Sequence, residues 1–183
     1  NILNQFKLQN LNLNFYISKN IYSLKNIDMK LNNTNITSPL IKIKKKEKLF
    51  LVDGQFLNEE KIFDIKELRP IIFNLFNDLD IKKIQFSSIN DFSFNINNKL
   101  KLKDLKVKAL IDLKELTIIE KNLKLKSYFP SFDEELKLKA HKLVINYDKD
   151  KIDIKGRGNI FLGDKLDNLS YKIIKNKKKI SFV

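Results

Sequence analysis

Much is missing from this chain, and each absence removes a class of chemistry. There is no cysteine, which excludes disulfides, thiolate catalysis and cysteine-ligated zinc. A single histidine, His141, leaves no basis for histidine metal clusters or for most histidine-dependent triads. Four glycines and three prolines are too few for collagen-like or low-complexity sequence. No apolar run approaches the ~20 residues that span a bilayer, and no signal peptide is visible. No Walker-type loop occurs. "GRGNIFLG" (Gly156–Gly163) has the wrong spacing for a dinucleotide loop, and a strand pattern runs through it.

Arginine is also scarce. Thirty-six basic residues against 22 acidic ones give a net charge of +14, yet only Arg69 and Arg157 are arginines. Nucleic-acid surfaces usually mix lysine with arginine, and single-strand binders add exposed aromatics. Here the aromatics share a side with the aliphatics, and no nucleic-acid partner is expected. Lysine, asparagine and isoleucine all have A/T-rich codons, so codon bias accounts for much of the charge. Weak attraction of the lysines to anionic headgroups is a secondary expectation.

What is present is alternation. Hydrophobic residues make up 43% of the 183 residues, enough to build a core despite 32% charged residues. Leu11, Leu13, Phe15 and Ile17 fall on one face of a strand. Phe92, Phe94 and Ile96 fall on one face of another, and Asn97-Asn98 then suits a turn. A following strand is predicted from Leu100. Parity switches at Lys103-Asp104 and His141-Lys142 would turn the apolar side outward unless a bulge absorbs one residue at each. "YDKDK" (Tyr147–Lys151) reads as a turn. "KIDIKGRGNIFL" puts Ile152, Ile154, Gly156, Gly158, Ile160 and Leu162 on one face, where two glycines leave a shallow spot. "LFLVDGQFL" (Leu49–Leu57) is apolar on both faces, as in a covered central strand.

One segment has helical spacing. Ile65, Leu68, Ile72, Leu75, Phe76 and Leu79 predict an amphipathic helix near 65–78, with Asp64 and Glu67 at capping-box spacing and Pro70 near its start. A short helical turn is predicted at Ser131–Glu134. The remainder reads as about ten or more strands in meander order, hence a mainly β fold: one long antiparallel sheet with one helix. The acidic clusters Asp133-Glu134-Glu135 and Glu59-Glu60 read as a helix start and a solvated loop. His141 reads as an exposed or edge-strand residue. No catalytic residue, metal site or cofactor is expected, and the chain is not expected to be an enzyme.

The strand series "FSFNINNKLKLKDLKVKALIDLKELTI" and "LKLKSYFPSFDEELKLKAHKLVINYDKDKIDIKGRGNIFL", with "ELRPIIFNLFNDLDIKKIQFSS" between strands, resembles bacterial AsmA-like proteins of the large periplasmic YhdP and TamB type, in their C-terminal region. The resemblance covers the chain from about Leu49 onward. It implies a curled β-groove, taco-like, with residues 1–183 forming one segment of a longer chain. It further implies a periplasmic protein, anchored in the inner membrane through a segment not present here, that aids phospholipid transport between the two membranes of a Gram-negative envelope. Membrane contact would then run through regions outside this segment. On that reading acyl chains would lie along Leu100, Leu102, Leu105, Val107, Leu123, Leu125, Leu138, Ile152 and Ile154. The competing readings are a closed β-sandwich acting as a structural interaction module and, less favoured, a basic nucleic-acid-binding protein.

Overall fold

The computed structural model describes residues 7–31, 34–66, 68, 80–119, 135–162, 165–176 and 179–182. These form ten strands: β1 (Leu8–Ser18), β2 (Ile21–Leu31), β3 (Thr34–Lys46), β4 (Leu49–Ile62), β5 (Asp80–Asn97), β6 (Leu102–Ile119), β7 (Glu135–Asp148), β8 (Lys151–Leu162), β9 (Lys165–Asn176) and β10 (Lys179–Phe182). Each pairs antiparallel with the next in the chain, and the spatial order is the sequence order. This is the expected meander.

Directly opposed residues in an antiparallel ladder point to the same side, so the registers sort the side chains into two faces. Face A carries Leu13, Phe15 and Ile17 beside Tyr22 and Leu24, then Ile41 and Ile43, then Val52 beside Phe94. It continues through Phe92, Val107, Tyr147 and Ile152, and through Ala109, Ile145, Ile154 and Ile173. Among the described residues, every buried apolar residue on a strand, from Ile27 in β2 to Ile154 in β8, lies on this face. Face B carries most of the lysines and carboxylates on the strands; Lys61, Lys165, Asp167 and Lys175 fall on face A, toward its ends.

The parity switches are absorbed as bulges. Asp104 has φ 53° where β5 and β6 shift register between Ser93 and Asn95, which returns Leu102 to face A opposite Ile96. Ala140 has φ 52° where β7 and β8 shift between Lys139 and Lys142. Leu136 and Leu138 therefore share face A with His141, Leu143 and Ile145 despite opposite parity. Asn26 (φ 51°) does the same in β2, keeping Leu24 and Ile27 on one side. The turn at Lys149-Asp150 has positive φ at both residues, as a two-residue hairpin turn requires.

Four expectations need correction. First, the sheet is neither closed nor strongly curled. Each strand hydrogen-bonds only with its sequence neighbours, and the described residues form one sheet with no second layer over face A. Second, β6 begins at Leu102; Leu100 sits in the turn before it with φ 55°. Third, Glu59 and Glu60 belong to β4 rather than a loop, and Glu135 opens β7 rather than a helix. Fourth, β4 is not covered on both sides: Leu49 is exposed and Leu51 and Leu57 are half-buried on face B. Of the helix expected near 65–78, only Ile65, Lys66 and Leu68 are described. Asp64 caps this turn, accepting from Lys66 N–H at Oδ1 (2.8 Å) and from Leu68 N–H at its carbonyl (3.3 Å). The rest of that segment lies outside the described residues, as does the turn expected at 131–134.

A single layer leaves both sides of a sheet open to whatever surrounds it. The chain exposes 12983 Å², where a compact chain of 21.6 kDa exposes about 9,200 Å².

Candidate functional site

The feature that sets this chain apart is face A, an apolar surface running from β1 to β9. Its rows are built by the period-two pattern, and cross-strand rings fill the space over its glycines. Gly54 lies opposite Phe92, whose ring crosses it and stacks on Phe56 at 4.8 Å. Gly156 lies opposite Tyr171, whose ring covers it. Gly158 takes the His141 ring, which sits 6.0 Å from that of Tyr171. The shallow spot expected at Gly156 and Gly158 is thus filled by the chain's own side chains.

His141 is therefore not an exposed edge residue. It is fully buried (0% exposed), and its Nε2–H donates to the Asn159 carbonyl at 2.8 Å. Nδ1 is buried and has no hydrogen-bond partner among the described residues. Burial also pushes the Tyr171 phenol above its ordinary pKa.

The candidate lining residues are distributed unevenly. Val107 sits mid-sheet on face A, half-buried between Phe92 and Tyr147. Ile152 is half-buried beside Tyr147. Leu138 and Ile154 also lie on face A but are 8% and 5% exposed, so they form its floor. Leu105 is half-buried. Leu102 (52% exposed) and Leu100 (83% exposed) gather at one end of the sheet. Leu123 and Leu125 lie outside the described residues.

Face A also holds a polar island that alternation does not reveal. Asn58 accepts from the Ser88 hydroxyl, and Asn90 Nδ2 donates to Ser88 Oγ at 2.7 Å and to the Phe56 carbonyl at 3.3 Å. Nearby on the same face, Lys61 Nζ donates to Thr34 Oγ1 at 2.9 Å. The only sequence signal is the break in the apolar row at Ser88 and Asn90. Satisfied polar groups of this kind can stay buried at little cost.

Face B is stitched by cross-strand ion pairs. Lys83 donates to Glu115 at 2.7 Å and holds that carboxyl below its ordinary pKa. Lys142 does the same to Asp112, and Lys82 with Lys137 to Glu135. Lys106 meets Asp148 at 3.2 Å. One apolar row crosses this face, formed by Leu57, Ile89, Leu110 and Val144 on four successive strands. An open depression of about 630 Å³ lies over that row, between Thr37 and Lys142. It is shallow and open to solvent, its lining mostly apolar, with Glu59, Asp112 and Lys142 beside the apolar row.

Among the described residues no three histidine or acidic side chains converge as metal ligands, and no helix is long and apolar enough to cross a membrane. Comparisons with family models, with curated proteins and with solved structures return no match for this chain.

Proposed function

We propose that this chain is a non-enzymatic lipid-binding segment whose face A carries phospholipid acyl chains, as part of a conduit between two membranes. The observation that supports the reading is the apolar face itself: one side of a single-layer sheet, apolar across nine paired strands, with exposed Leu11, Phe15 and Ile17 at one edge. Face A needs an apolar neighbour for the same reason any core does. Burying one methylene stabilises by about 0.8 kcal/mol, so a tail of ~16 carbons fully removed from water gains about 12 kcal/mol. On an open, weakly curved sheet a tail is covered from one side, and the gain is roughly half. That favours lateral movement over tight capture.

In this reading Val107, Ile152 and Leu105 form the contact rows, and Leu138 and Ile154 the floor beneath them. The polar island at Asn58, Ser88 and Asn90 interrupts the path and gives a carbonyl or hydroxyl of a lipid a place to bond. The periplasmic setting and inner-membrane anchorage belong to the same proposal. The sandwich alternative requires a second sheet, and the described residues form one.

The test compares Val107→Lys on face A with Leu110→Lys on face B. Both positions are accessible enough to accept lysine, and circular dichroism checks the fold. Phospholipid recovered with the protein should fall sharply in the first variant and stay at the parent level in the second. Equal loading of folded Val107→Lys would remove face A as the lipid surface. Lipid-free protein that associates through face A would favour the interaction-module reading instead.

A further inference from the structure

In a meander every second connection lies at the same end of the sheet. The β1–β2, β3–β4, β5–β6, β7–β8 and β9–β10 hairpins therefore share one end. Charge is concentrated there. Among described residues within two positions of these five turns, eleven are lysine and three are acidic. The same count at the opposite end gives four lysines and three acids. The β5–β6 hairpin brings Lys99, Lys101 and Lys103 with no acid between Asn97 and Lys103.

Large apolar side chains stand exposed among these lysines. Leu100 is 83% exposed between Lys99 and Lys101, and Ile17 is 63% exposed two residues before Lys19. Leu102 and Leu49 are exposed at the same end. Leu100 is held in place: Asn97 Oδ1 accepts from Lys99 N–H (3.0 Å) and Lys101 N–H (2.9 Å), and Leu100 N–H donates to the Asn97 carbonyl (2.9 Å). Its φ of 55° is a conformation that residues with side chains avoid. The turn residues Lys19, Glu47, Lys149 and Asp150 at the same end share a positive φ, so the conformation belongs to the turn and the exposure of the leucine is what distinguishes it.

We infer that this hairpin end docks on an anionic lipid bilayer, its lysines at the headgroup phosphates and Leu100 and Ile17 entering the hydrocarbon boundary. Basic rims attract acidic leaflets, and exposed leucine beside lysine gains from the bilayer interface what water cannot supply. A nucleic-acid duplex would use the lysines but leave the exposed leucines without a partner, and Arg157, the arginine among the described residues, lies within β8 away from these turns. Docking here would bring the end of face A to the membrane from which tails enter. The inference rests on the same lipid and meets face A at Ile17 and Leu102, but its lysine turns lie off the Val107 contact row, so each can fail alone.

The experiment is vesicle co-sedimentation of the whole chain. Vesicles of phosphatidylcholine are compared with vesicles of phosphatidylcholine plus phosphatidylglycerol, at low and high salt. Binding should be about tenfold or more stronger on the anionic vesicles and should weaken with salt. Lys99→Glu combined with Lys101→Glu should lower it by at least about tenfold, and Leu100→Ser should remove the fraction that survives high salt. Lys108→Glu with Lys155→Glu, the same charge change on mid-strand face B, should change binding less than about twofold. Equal binding to both vesicle types, no binding to either, or equal losses from the hairpin and mid-strand pairs would overturn the inference. Val107→Lys should leave docking intact while lowering tail loading, which separates the two proposals.

Discussion

Adding one methyl group at a glycine of face A probes the ring-over-glycine packing directly. A Cβ at Gly156 would lie 2.3 Å from Tyr171 Cζ and 2.5 Å from its hydroxyl oxygen. Both atoms are at the far end of a side chain that can swing. A Cβ at Gly158 would lie 2.4 Å from His141 Cδ2 but also 2.6 Å from His141 Cα, which is backbone and cannot swing. Overpacking costs about 1–3 kcal/mol, and loss of glycine's freedom in the unfolded chain returns about 0.4–1 kcal/mol. Gly156→Ala should therefore destabilise by about 1 kcal/mol and Gly158→Ala by about 2–3 kcal/mol. Removing the obstructing ring separates the two sites. In a Tyr171→Ala background, Gly156→Ala should become neutral or mildly stabilising, a coupling of about 1–2 kcal/mol. In a His141→Ala background, Gly158→Ala should remain destabilising, because the clash with the β7 backbone stays. Urea midpoints at constant slope measure all four differences. A Gly158→Ala protein as stable as the parent, or a Gly156→Ala penalty unchanged by removing Tyr171, would refute the packing described.

Other outcomes follow from single features of the sheet. Leu100→Gly relieves a positive φ and should raise stability by about 1 kcal/mol, read as a higher melting temperature, while lowering vesicle docking. Asn97→Ala removes the acceptor of two turn N–H groups and should destabilise by about 1 kcal/mol, seen in urea unfolding. Asp112 and Glu115 have pKa values lowered by lysine partners, so the folded state holds their protons less tightly than the unfolded chain. Their contribution is complete above about pH 4.5 and is lost as pH falls through the lowered values. Melting temperature should fall with acid over that range, less steeply in Asp112→Asn. Tyr171, with its pKa raised by burial, contributes in the opposite sense: stability should decline as pH rises above about 10, and Tyr171→Phe should remove that part of the decline.

Local alternation makes most of the strand order legible, because side-chain parity is a property of neighbours in sequence. Two departures from parity locate the bulges at Asp104 and Ala140 within a few residues. Alternation does not say what lies over a row, since that depends on strands far away in the chain. His141 reads as exposed because nothing adjacent in sequence buries it; Gly158 and Tyr171, 17 and 30 residues on, do so. The gap in "GRG" reads as open for the same reason. The curl rests on resemblance alone, and curvature depends on twist and on packing across the face rather than on residue pattern. Leu100 reads as strand because its parity matches Leu102, whereas Asn97 folds the chain back with Leu100 inside the turn. The lysine rim is hidden as well, because its members are spread from Lys19 to Lys179 and meet only when the hairpins line up.

Native mass spectrometry of the whole chain, released gently from its purification buffer, addresses the central claim without any substitution. If face A carries acyl chains, the spectrum should show the chain mass together with peaks displaced by the mass of one or more phospholipids, and collisional heating should strip them away. A spectrum containing bare protein alone, from preparations in which lipid was present throughout, would contradict the account.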